Sequence, residues 1–175
     1  FFAIVIVLNW ALKSRPLIWR IFLFIVSVYF YALIDVKFVG LLATASILTF
    51  LLGLIIEKKE TVLSKLAFAA GIILNLGMLF IFKYYDFFRV TAESFFTSIN
   101  LSSSLPYWEI IFPIGISFYS FRMISYLFDL KRGKYKAETS ILDFSIYSFF
   151  FPYLLAGPIT RANEFLPQLK NGGAK

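Results

Sequence analysis

Phe112-Pro-Ile-Gly-Ile-Ser-Phe-Tyr-Ser-Phe-Arg-Met-Ile-Ser-Tyr-Leu-Phe-Asp-Leu-Lys-Arg-Gly133 is apolar enough for a bilayer, yet it carries Pro113, Gly115, Arg122 and Asp129 where a plain spanning helix would hold Leu and Ile. From Ile116 onward, Arg122, Ser125, Tyr126 and Asp129 fall at i, i+3, i+4 and i+7, so a helix gathers all four on one face. A guanidinium and a carboxylate facing hydrocarbon cost a few kcal/mol each even on the mildest scales. That face must therefore turn to a protein interior or a wet cavity.

The rest of the chain sets the same scene. Its 175 residues are 60% hydrophobic and 21% aromatic with a mean hydropathy of +0.82, values that predict an all-α, polytopic membrane protein with the lipid bilayer as a partner. The net charge of +7 does not indicate nucleic-acid binding, because the cations sit in short clusters between apolar runs. With no Cys and no His, this stretch supplies no disulfide, thiolate nucleophile, zinc site or imidazole base, and no metal site is expected. The sequence opens on Phe1 inside an apolar run, which predicts a piece of a longer protein whose remainder packs against it.

In chain order, Phe1 to Leu12 reads as the end of a first helix, apolar apart from Asn9. Leu17 to Ile34, Phe38 to Ile56 and Leu66 to Phe82 read as spans, with Ala67 and Gly71 spaced for a close helix approach. A surface loop with a short amphipathic helix is expected over 87–105, where Asn100-Leu-Ser102 is a weak sequon. Two interrupted helices follow, at 107–133 and 141–161, the second broken around Pro152 and Gly157-Pro158. The total is five to six membrane segments in one region, 1–175, with the broken helices lining a cavity. Loops 13–20, 57–65 and 131–136 hold three, three and four Lys or Arg, against one and two in 35–37 and 83–106, so the richer set is assigned to the cytoplasm.

Arg122 and Asp129 lie about 10 Å apart along a helix axis, too far for direct contact. Tyr126 or Ser125 bridges them, or each pairs elsewhere; the face is either a polar lining for a reacting molecule or an ion-pair network locking helices together. Ser117 and Ser120 lack any visible base and are read as small hydroxyls bonded to backbone or lining a tunnel.

Phe112-Pro-Ile-Gly-Ile-Ser-Phe-Tyr-Ser-Phe, Ser125-Tyr-Leu-Phe-Asp129, Arg132-Gly133, Phe149-Phe-Phe-Pro-Tyr-Leu-Leu-Ala-Gly-Pro-Ile-Thr-Arg161 and Phe165-Leu-Pro-Gln168 together resemble consecutive motifs of the membrane-bound O-acyltransferases, in the alginate O-acetyltransferase branch. The resemblance implies a multi-pass enzyme of the cytoplasmic membrane that moves an acyl, typically acetyl, group from a cytoplasmic donor, acetyl-CoA or an acyl carrier, towards a cell-surface polysaccharide. No cofactor is implied. An extracytoplasmic acyltransferase partner is implied, as is a catalytic His in a later motif, so no residue here takes the catalytic role. Ser117, Tyr119, Arg122, Tyr126, Asp129 and Arg161 are the tunnel candidates. Arg122 and Tyr153 stand where the branch often has Gln, which bears on substrate choice. The rival expectations are a transporter or flippase subunit and a small structural membrane protein.

Overall fold

The computed structural model describes residues 2–57, 61–99, 106, 111–154 and 160–172, and among these the chain is helical with no strand. The order is α1 (Phe2–Leu12), α2 (Pro16–Ala32), α3 (Val36–Ile56), α4 (Val62–Leu79), a π-helical turn (Phe80–Tyr84), α5 (Tyr85–Ser98), α6 (Ile116–Lys131), α7 (Ile141–Phe149), α8 (Phe151–Leu154) and α9 (Ala162–Lys170). Helix starts follow local chemistry. Pro16 opens α2, where its missing N–H costs nothing. Asp35, Thr61 and Ser140 cap α3, α4 and α7 by accepting from the N–H groups of Lys37, Ser64 and Asp143.

Among the described residues, two helices are long and apolar enough to cross a membrane, α3 and the continuous run Val62–Ser98; α1 and α2 are apolar but shorter. These fit an all-α membrane protein. The expected amphipathic segment is present as α5, but it is not a separate surface element. It continues α4 through the π turn, and the 37-residue run is about 56 Å long, well beyond a hydrocarbon core of about 30 Å. Its polar residues pair along its own surface, Arg89 with Asp86 at 2.8 Å and with Glu93 at 2.9 Å.

The core forms where α3, α4 and α6 meet on one side and α2 and α7 on the other. Gly71 is a contact point, as the spacing predicts: a Cβ there would sit 2.5 Å from Leu127 Cδ1 of α6. Gly115 turns the chain into α6 with φ +82°, a conformation that glycine adopts freely, and a Cβ there would collide with the Leu154 carbonyl. The sequon at Asn100-Leu-Ser102, the Gly157-Pro158 break and the start of the first interrupted segment at 107–110 lie outside the described residues.

Candidate functional site

The break between α7 and α8 organises the site. Pro152 has no N–H and its ring would clash with the carbonyl of residue 148 in a continuing helix, so α7 stops at Phe149 and Phe150 takes φ −51°, ψ 105°. This splits the backbone bond that would have joined the Phe151 N–H to the Tyr147 carbonyl. Each orphan finds a side chain from another helix. Phe151 N–H donates to Ser27 Oγ of α2 at 3.4 Å, and Arg122 Nη1 of α6 donates to Tyr147 O at 2.9 Å. Arg122 Nη2 also donates to Tyr153 O at 2.6 Å, and the guanidinium lies 5.7 and 5.9 Å from the ring centroids of Tyr147 and Tyr153.

Arg122 is 2% exposed, and among the described residues its guanidinium is met by carbonyl dipoles and ring faces and by no carboxylate. Tyr147 completes the joint: its hydroxyl lies 3.3 Å from Arg122 O and 3.2 Å from Thr160 O, a donor reaching both α6 and the chain entering α9.

Beside this joint lies a hollow of about 560 Å³, lined by Trp19, Phe150, Tyr153 and Phe165 together with the polar groups of Asn9, Thr160, Glu164 and Gln168. Asn9 Oδ1 accepts from the Trp19 indole N–H at 2.7 Å, tying α1 to the wall. Aromatic faces with a few convergent polar groups make a ligand-sized site. Tyr153 joins clasp to hollow, since its carbonyl is held by Arg122 and its ring borders the space.

The candidates named from sequence separate into groups. Tyr119, Arg122, Tyr126 and Asp129 do share the buried face of α6. Ser117 stands at the start of that helix, where Lys83 Nζ donates to its Oγ at 3.2 Å, and Arg161 is exposed at the start of α9. None of the six is among the residues lining the hollow. Nor does Tyr126 bridge Arg122 and Asp129, because its hydroxyl accepts from the Glu138 N–H at 3.0 Å. Asp129 is 4% exposed, and its Oδ2 has no hydrogen-bond partner among the described residues.

Glu138 is a junction that sequence reasoning passed over. Its carboxylate is buried and accepts from Thr139 N–H and Ser140 N–H, both at 3.0 Å, and from Lys170 Nζ of α9 at 2.8 Å. Tyr135 points its hydroxyl at the same group, and burial, then the Glu138 charge, push that hydroxyl up to about 12. Close by in the chain, Arg20 Nη1 reaches both oxygens of the buried Asp143 at 3.0 and 3.1 Å. The polar lining of the hollow was also missed, although Asn9 is the one polar residue of its run and Gln168 closes a motif that carries the resemblance.

Known proteins match this chain over most of its length. It is 32% identical over 147 residues to a protein named probable alginate O-acetylase AlgI from Azotobacter vinelandii, covering 83% of this chain and 29% of that protein. The protein of the same name from Pseudomonas aeruginosa is 32% identical over 154 residues, 87% of this chain and 29% of its own length. A peptidoglycan O-acetyltransferase from Helicobacter pylori is 29% identical over 188 residues, 92% of this chain and 34% of its own. The chain thus spans roughly a third of the length of these curated relatives. No protein-family model matches it, and no solved structure matches it significantly.

Proposed function

We infer, from a chain that belongs to the family of the alginate O-acetylases, that the whole protein is an O-acetyltransferase acting on a polysaccharide hydroxyl. In this reading the helices form part of a multi-pass domain of the cytoplasmic membrane, with five to six segments and the broken helices 107–133 and 141–161 around a passage. The observation that carries it is the hollow at the α7/α8 break, a ligand-sized, partly open space with aromatic walls and polar groups where α9 meets the apolar helices.

The acetyl donor, acetyl-CoA or an acyl carrier, enters from the side that bears Lys13, Arg15 and Arg20, the cation-rich face assigned to the cytoplasm. Trp19 and Tyr153 supply apolar contact for the acyl arm; Asn9, Thr160 and Gln168 offer hydrogen bonds that orient it. Arg122 acts behind this wall, holding the backbone that carries Tyr153. Tyr119, Tyr126 and Asp129 pack behind the same wall on the buried face of α6, and Ser117 and Arg161 stand at the starts of α6 and α9. Proton removal from the acceptor hydroxyl belongs to a His outside this chain, and delivery to the polymer to an extracytoplasmic partner.

The test is the ester-linked acetate on surface polysaccharide in cells carrying the full-length protein. Gln168→Leu and Thr160→Val should lower it several-fold at unchanged membrane abundance. Polysaccharide acetylation that is the same with and without the intact gene would end the reading.

A further inference from the structure

A second hollow lies on another, apolar face of the bundle, walled by α3, by α4 with the π turn, and at its charged end by Ile111 ahead of α6. One part, about 530 Å³, begins at Asp35 and Lys37 and runs over Gly40; the next, about 340 Å³, continues past Leu48 and Ile73, and the two share Leu41, Thr44 and Phe82. They form one furrow. A Cβ built on Gly40 or Gly77 would meet nothing within 4 Å, so the missing side chains leave its floor open. Thr44 spends its hydroxyl on Gly40 O at 2.9 Å, leaving the floor without a free donor. The rims are outward-facing apolar side chains, Ile73 being 69% and Ile81 45% exposed.

Length identifies the occupant. From Lys37 to Leu48 the chain rises eleven steps, about 16 Å of helix, which is one leaflet of a hydrocarbon core of about 30 Å. A crossing helix would need the full thickness. The charged end carries both signs two residues apart: Lys37 is exposed, and Asp35 uses Oδ1 to cap the Lys37 N–H while Oδ2 remains available. We propose that this furrow is a lipid site that takes one acyl chain of a phosphatidylethanolamine, its phosphate on Lys37 and its ammonium on Asp35. A purely anionic headgroup would meet the Asp35 carboxylate, and a trimethylammonium has no N–H to donate to it. The site lies apart from the acetyl-transfer hollow and does not depend on that reading.

The test uses the full-length protein, purified in mild detergent and reloaded with phosphatidylethanolamine, phosphatidylglycerol or phosphatidylcholine, with bound lipid counted by native mass spectrometry. One phosphatidylethanolamine per chain should be retained in preference to the other two. Asp35→Asn keeps the helix cap, and with Lys37→Glu it should reduce that preference by up to about fivefold, the range of an exposed ion pair. Gly77→Leu, or Gly40→Leu should the first fail to fold by its thermal melt, should cut retention of all three lipids by about tenfold through lost packing. Equal retention of the three lipids overturns the proposal. So does unchanged retention in the furrow-filling variants, or a crosslink from Thr44→Cys to another protein segment.

Discussion

The two ends of this chain handle polarity inside a membrane in different ways. In α1 to α5, where helices run unbroken, the buried polar side chains are small or uncharged: Ser27, Ser46, Thr49, Ser64 and Asn75. From α6 onward the buried set includes Arg122, Asp129, Glu138 and Asp143, and all the buried charged residues among those described lie there. An intact helix satisfies its own backbone and needs only apolar cover, whereas a broken one exposes N–H and C=O groups that lipid cannot satisfy. Asp143 pairs with Arg20 instead, but two of these four charged side chains stand where backbone bonds are missing. Arg122 takes two carbonyls and Glu138 two N–H groups, so both do the work of absent helical turns.

Removing the arginine should break the contrast most strongly. Arg122→Ala leaves the Tyr147 and Tyr153 carbonyls without these donors and empties the space of a large side chain. The loss should be about 3–5 kcal/mol, the scale of breaking a buried polar network. Thermal unfolding of the purified protein checks it. Arg122→Gln, with one amide to serve one carbonyl, should recover part of the loss; Arg122→Lys should do less well, since a point charge cannot reach two carbonyls as a planar fork does. An unchanged melting temperature in Arg122→Ala would mean that the joint holds without its clasp.

Glu138→Gln comes next and separates charge from hydrogen bonding. The amide oxygen can still accept from the loop, but the Lys170 ion pair is lost; half-exposed Lys170 makes this a loss of about 1 kcal/mol. The alkaline limb is the sharper readout. The Tyr135 hydroxyl titrates near 10 in the unfolded chain and is pushed up to about 12 when folded. The folded state therefore holds its proton longer, and stability present below pH 10 drains away as the pH rises towards 12. Removing the Glu138 charge should move the end of that window down. A limb identical in wild type and Glu138→Gln would show that the carboxylate is not what acts on Tyr135.

Much of the framework was legible because it is local. The apolar run Phe38–Ile56 became α3 at Val36–Ile56, and Pro152 announced a break that falls two residues earlier, at Phe150. The shared face of Arg122, Ser125, Tyr126 and Asp129 followed from spacing alone; Arg122, Tyr126 and Asp129 are buried on it and Ser125 is half-buried. What each of those residues touches was not legible. Arg122 reaches carbonyls 25 and 31 residues away, and Glu138 depends on Lys170, 32 residues further on, with nothing near it to mark it off from the cations of its loop. The merging of α4 with α5 escaped notice for a different reason: Lys83-Tyr-Tyr-Asp86 has the polarity of a membrane edge, and polarity ends a span without ending a helix.

The smallest effect is expected at Asn75, and its smallness is the point. Asn75 is fully buried in α4; its Nδ2 donates to Gly71 O at 2.9 Å and to Thr49 Oγ1 at 3.3 Å, while Oδ1 has no hydrogen-bond partner among the described residues. The helix around it already bonds its own backbone, so the amide replaces nothing, and its unpaired oxygen carries a desolvation cost. Replacing both functions with an apolar group of similar size can be neutral. Asn75→Leu should therefore shift stability by less than about 1 kcal/mol in either direction, against several for Arg122→Ala. If the two variants unfold alike, buried polarity contributes equally in both ends of the chain, and the broken backbone is not what sets the demand for it.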